Sequence, residues 1–161
     1  MKCFLLWLLL LPLSLQADIK EIDAYWAEIS RSVKEGDFQA YKATCHPGAV
    51  LVSGSKKQSY PLSKALKRWK KEFDDTKAGT RKSSVTFRFS HRYHDATTAH
   101  EAGIFIYEFS NDAGESAKEY VWFEVLLVKE NGKWLTMMEY QKTPATKQDW
   151  EKLKPYNVKG K

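Results

Sequence analysis

Apolar residues recur every three or four positions at the start of the chain: Ile19, Ile22, Trp26, Ile29 and Val33 form one stripe, widened by Tyr25. Lys20, Glu21, Glu28, Arg31 and Lys34 take the opposite side, so the spacing predicts an amphipathic helix over 18–35. Gly36 suits the position just past a helix, and Asp37 suits the cap of the next one. That second segment, 38–45, places Phe38, Tyr41 and Cys45 together. His46-Pro47-Gly48 breaks it, Ala49 to Val52 reads as a short strand, and Gly54, Ser55 and Ser59 mark a loop. Pro61 suits the first turn of a third helix, whose apolar face is Leu62, Leu66, Trp69 and Phe73. Asp75 to Arg81 reads as an exposed linker.

The period then changes to two. Val85, Phe87, Phe89, His91 and Tyr93 alternate with polar neighbours, which predicts a half-buried strand with His91 and Tyr93 on one face. His100 to Phe109 is a second strand, in which Gly103 marks a bulge or a close backbone approach. Asn111-Asp112-Ala113-Gly114 turns into Tyr120–Val128, a run so apolar that it is expected to be covered on both faces. Asn131-Gly132 is a strong hairpin signal, because both central residues of a type I′ turn need positive φ. Trp134 to Gln141 returns from it, Thr143-Pro144 ends the sheet, and Thr146 with Asp149 forms a capping box for a short helix docked by Trp150. Helices first and antiparallel strands after predict an α+β domain rather than alternating βαβ units.

Composition changes the picture in three places. Lys2, the apolar run Phe4–Leu13 and Ala17 read as a signal peptide over 1–17, so the product is expected to be exported, periplasmic or secreted. The run is too short for a bilayer, which takes ~20 residues, so no stable membrane anchor is expected. One domain over 18–154 follows, with 155–161 as a disordered tail. Cysteine is confined to Cys3 and Cys45, so the exported chain has no internal disulfide and Cys45 is expected to be buried and inert rather than a dimer cross-link. The net charge is +6, and Lys64 to Lys71 is strongly basic. These charges lie opposite an apolar stripe with Glu72, Asp74 and Asp75 close by, so a solvated helix face is expected, and no nucleic-acid partner.

The long first helix, Glu35-Gly36-Asp37-Phe38 with Tyr41 leading into His46-Pro47-Gly48-Ala49-Val50, the helix Leu62–Phe73 and the Asn131-Gly132-Lys133-Trp134 hairpin come in a telling order. In that order they resemble the nuclear transport factor 2-like superfamily, the fold shared by SnoaL-like polyketide cyclases and ketosteroid isomerases. The resemblance spans about Ile19 to Thr143. It implies N-terminal helices packed on a strongly curved antiparallel sheet, cone-shaped with an internal pocket, and frequent homodimers through the sheet. It implies no particular reaction, since this fold carries enzymes, binders and assembly modules.

Such a pocket would be lined by Tyr25, Trp26, Tyr41 and Trp69 from the helices and by Phe87, Phe105 and Trp122 from the strands. Each is equally at home as packing. A small apolar organic ligand is the expected occupant. Glu124 shares a strand face with Tyr120, Trp122 and Leu126, where desolvation would raise its pKa and suit a general base. An ion pair with Arg88 or Arg92, or an outer face, is the competing account. Glu139, Glu101 and Glu108 carry weaker forms of the same argument, and His91 beside Tyr93 would make a proton carrier next to a phenol. No cofactor is expected: the sequence has no zinc spacing, Gly-rich phosphate loop or Gly-x-Ser-x-Gly elbow. The functions left open are a binder, an isomerase, dehydratase or cyclase using Glu124, and a dimeric assembly module.

Overall fold

The computed structural model describes residues 19–156. The expected leader at 1–17 and the end of the expected tail, 157–161, lie outside those residues. The helix α1 (Ile19–Glu35) buries Ile22, Tyr25, Trp26, Ile29 and Val33 from its stripe. Asp37 caps α2 (Phe38–Ala43) by accepting from the Ala40 amide. β1 (Cys45–Ser53) follows, and its register against the sheet shifts between Cys45 and Val50, so His46-Pro47-Gly48 is an irregular part of the strand rather than a break before it.

Two expectations about the middle of the chain are corrected. The stretch expected as loop contains β2 (Gln58–Pro61), which pairs antiparallel with β1. Its residues show no alternation because it is an edge strand held by backbone bonds, with its side chains largely exposed. α3 (Leu62–Ala78) runs through most of the expected linker and ends at Gly79. Thr76 extends it, donating its hydroxyl to the Glu72 carbonyl and meeting Ser83 at 3.0 Å. The basic face of α3 carries its own neutralisation, Lys70 with Asp74 and Lys71 with Asp75 at 2.6 Å.

Four long strands follow: β3 (Arg81–His94), β4 (Thr98–Asn111), β5 (Ser116–Glu130) and β6 (Lys133–Pro144). They form one six-stranded sheet in the order β2-β1-β6-β5-β4-β3. Every pairing is antiparallel except β1 with β6. Asn131 and Gly132 have φ of 50° and 75° at the β5–β6 turn, as a type I′ hairpin requires. The sheet curves around the helices. The larger core lies between α1 and the inner face, with Phe87, Phe123, Val125 and Leu127 packed on the α1 stripe, and a smaller core joins α3 to β1 through Leu51, Leu62, Ala65 and Leu66. A fully buried side chain of this kind contributes ~1.5–3 kcal/mol.

Bulges decide which residues face inward. In β3 the register slips between Phe89 and His91, opposite Gly103 and Ala102, leaving Ser90 unpaired. A Cβ at Gly103 would lie 2.0 Å from the Arg88 carbonyl oxygen, so only glycine permits this approach. In β6 the register slips between the pairs Leu126–Met138 and Leu127–Thr136, leaving Met137 extra. Each bulge switches the alternation, because an inserted residue reverses the side every later side chain takes.

Thr146 and Asp149 form the expected capping box of α4 (Lys147–Lys152). This helix lies on the outer face: Arg88 donates to the carbonyls of Trp150 and Leu153 at 3.0 Å, and its guanidinium sits 4.6 Å from the Trp150 ring. The order expected to end at 154 extends further. Pro155 bridges to Arg88, and the Tyr156 ring packs 5.3 Å from Phe89.

Candidate functional site

Between α1, α3 and the inner sheet face the protein encloses a cavity of about 420 Å³. That is within the range of small-molecule sites. Tyr25, Trp26, Tyr41, Trp69, Phe87 and Phe105 all line it. Trp122 does not, and this expectation is corrected. The inward set on β5 is Val121, Phe123 and Val125, so Trp122 and Glu124 point the other way. Trp122 lies in a cross-strand row with Ile104 and Arg88, the residue that α4 binds. Cover from α4, whose Trp150 meets Tyr120, accounts for the apolar outer face at the start of β5, and with both faces apolar the alternation gave no sign of which was inside.

The expected catalytic trio is brought together, but outside the cavity. His91 stacks on Tyr93 at 5.0 Å, and His100 joins them at 5.6 Å from His91. His100 Nε2 is 3.6 Å from Glu124, and Lys142 donates to Glu124 at 2.7 Å. The hydrogen bond from Lys142 lowers the Glu124 pKa, the opposite of the raised value a buried base needs. Tyr93 is 65% exposed. The Ser90 bulge is the physical reason: it turns His91 and Tyr93 outward and Arg92 inward.

Arg92 meets Glu101 inside. Glu101 is fully buried, accepting from Arg92 Nε and from the Trp26 indole, while Arg92 Nη1 reaches Asp23 of α1 at 2.6 Å. This network, capped by the Phe89 and Tyr156 rings, joins α1 to β3 and β4 beside the cavity.

Glu139 is the carboxyl that β6 presents to the cavity, with Glu72 and Glu119 elsewhere on its lining. The Met137 bulge puts Thr136, Glu139 and Gln141 on the inner side of β6. Gln141 Nε2 donates to Glu139 Oε1 at 2.7 Å, and among the described residues Glu139 makes no ion pair. Burial raises its pKa, with the Gln141 bond offsetting part of the rise. Tyr25 and Tyr41 are raised well above the usual phenol value, first by burial, with the Glu139 charge adding to both. Tyr25 shares a hydrogen bond with Thr136. Cys45, expected to be buried, is half-buried, and desolvation pushes its thiol up to about 12, which lowers its reactivity. At the rim, Arg81 Nε donates to Ser83 and Nη2 to Tyr107 at 3.2 Å, while Tyr107 donates to Glu72. This set offers a largely aromatic chamber whose β6 wall carries a buried carboxyl able to give or take a proton. Sequence reasoning ranked Glu139 below Glu124 because a bulge leaves no mark in a hydrophobic pattern.

No protein-family model matches the sequence, and neither does any curated protein. Solved structures do match. An NTF-2 like protein of unknown function from Shewanella oneidensis MR-1 superposes with a TM-score of 0.59 at 15% identity, over 78% of this chain and 98% of that one. The chain has the nuclear transport factor 2-like fold. An NTF2-like protein of unknown function in nutrient uptake from Rhodospirillum rubrum gives a TM-score of 0.55 at 15% identity, over 76% of this chain and 97% of that one. A ketosteroid isomerase-like protein from Erwinia carotovora atroseptica gives 0.55 at 16% identity, over 81% and 98%. Identities this low establish the nuclear transport factor 2-like architecture and leave the chemistry to the residues.

Proposed function

We propose that this protein binds a small organic molecule in its cavity, with no reaction required. The observation that carries the reading is the aromatic chamber of about 420 Å³ with a polar patch at Thr136, Glu139 and Gln141 on its β6 wall. A thermal-shift screen tests it, using Val121→Trp to fill the cavity near its rim. A ligand at 100 times its Kd stabilises the folded state by ~2.7 kcal/mol. We expect hits on the wild type that Val121→Trp abolishes; hits that persist in that variant place binding elsewhere.

One observation favours a second reading, an isomerase, dehydratase or cyclase: the carboxyl aimed into the cavity has the raised pKa of a general acid or base. Glu139, not Glu124, is its acid–base residue. Turnover of a cavity ligand that falls at least ~100-fold in Glu139→Gln, with binding retained, would establish it.

Two proposals about the setting accompany this. The leader-like 1–17 supports export, tested by whether the mature chain fractionates outside the cytoplasm. A homodimer through the outer sheet is supported by a row of paired residues, Val50, Met138, Leu126, His100 and Tyr93, crossing five strands on the uncovered face. Sedimentation of Leu126→Lys against wild type tests it, since a charge there breaks the contact.

A further inference from the structure

The cavity is acid-rich in a basic protein. The chain has 26 Lys and Arg against 20 Asp and Glu, yet the lining carries Glu72, Glu119 and Glu139 against Arg81 alone. Arg81 is already engaged: it bonds to Ser83 and Tyr107, lies 3.6 Å from the Phe109 ring centre, and stands 4.0 Å from Glu72. One row of the sheet shows why nothing neutralises Glu139. Leu51, Glu139, Val125, Glu101 and Arg92 lie side by side across five strands. Arg92 at the far end serves Glu101 and Asp23. Glu139 is two strands from Glu101, ~10 Å at the usual spacing, with Val125 between. Outside, Glu124 has Lys142 and His100. Of these three sheet glutamates, the one on the cavity wall is left with a neutral partner.

Around it the walls are aromatic. Trp26 and Phe87 centre 4.4 Å apart, Phe105 and Phe123 5.8 Å, and Tyr41 and Phe73 5.1 Å. Ring faces carry negative quadrupole density and attract cations, most strongly where water is excluded. We propose that the cavity selects an organic cation: an ammonium group on an apolar body, the charge held by Glu139 and the aromatic wall. An anion would meet three carboxyl groups and a spent guanidinium. A neutral ligand would leave the Glu139 wall without a charge partner. This inference rests on the cavity being a binding site and adds the ligand class.

The groups facing Glu139 from the packed elements are Tyr25 of α1, Tyr41 of α2, Cys45 of β1, and Thr136 and Gln141 of β6, with uncharged Val125 from β5. Tyr25, Tyr41 and Cys45 are all pushed up and stay neutral, while Glu72 of α3 and Glu119 of β5 also line the cavity, so the Glu139→Gln variant is what assigns a pH dependence to Glu139.

The test is calorimetry on the full mature chain with three phenylalkane probes of equal length. One ends in trimethylammonium, one in the uncharged tert-butyl isostere, and one in carboxylate. The quaternary charge does not titrate. We expect the cation to bind about tenfold or more tighter than its isostere, with affinity rising as pH rises. Glu139→Gln should remove both the preference and the pH dependence, while Glu124→Gln leaves them intact. If Glu139→Gln does not fold, the cation against its isostere on the wild type still tests the ligand class. Equal binding of cation and isostere, tighter binding of the carboxylate, or a preference unchanged in Glu139→Gln overturns the cation inference and leaves the cavity reading standing. Binding of none of the three removes both.

Discussion

Glu101→Gln is the substitution whose cost the structure fixes best. Glu101 is fully buried and its two oxygens serve two donors, the Arg92 guanidinium and the Trp26 indole. Removing one partner from a buried ion pair costs ~3–5 kcal/mol, because the other charge stays desolvated. Asp23 remains at 2.6 Å from Arg92 Nη1, so the lower end applies, about 3 kcal/mol. The Gln oxygen can accept from only one of the two donors, and its amide then faces the other, donor against donor. Arg92 Nη2 is buried without a partner already and cannot compensate. In a domain of this size such a loss lowers Tm by about 6–12 °C. The assay is urea unfolding of wild type, Glu101→Gln, Arg92→Met and the double variant Arg92→Met/Glu101→Leu. The double variant should recover only part of the loss, since it removes the stranded guanidinium but leaves Asp23 and the Trp26 indole without their partners. A Glu101→Gln protein within ~0.5 kcal/mol of wild type, as expected of a surface site, would refute this account of the network.

Other substitutions separate the two faces of the sheet. Glu124→Gln should cost under ~1 kcal/mol in the same urea titrations, because its partners Lys142 and His100 each keep 40% side-chain exposure. Leu127→Ala, at a position with no exposed surface, should cost ~2–5 kcal/mol by denaturant titration. Gly103→Ala drives a methyl into the Arg88 carbonyl and should cost about 1–3 kcal/mol, read by thermal unfolding. Glu139→Gln should change stability with pH. The folded state holds the Glu139 proton more tightly than the unfolded chain, so this contribution is full below the ordinary Glu value and is lost as pH rises through the folded value. The variant should therefore match wild type near about pH 4 and gain on it near about pH 8, in parallel melts.

The fold was largely legible in the sequence because its elements follow from period alone. The α1 stripe, the Asn131-Gly132 turn and the Thr146 capping box are local signals, and each formed where expected. β2 was not legible, since an exposed edge strand needs only backbone partners. The site was legible in part. Six of the seven aromatics named from sequence line the cavity because helix stripes and strand alternation point the same way. Glu124 missed it because β5 is apolar on both faces; His91 and Tyr93 missed it, and Glu139 was undervalued, for a second cause. Ser90 and Met137 are the extra residues of two bulges that reverse alternation partway along a strand, and neither is a glycine or proline that would announce it. Gly103, opposite the first bulge, was the single available hint.

The central claim is that Glu139, rather than Glu124, is the desolvated acid on the cavity wall. Carbon-detected NMR titration of the glutamate carboxyls tests it, with Glu139→Gln and Glu124→Gln assigning the two signals. The account predicts that the Glu139 signal titrates above the ordinary glutamate range and the Glu124 signal below it. An ordinary or lowered value for Glu139 would contradict it.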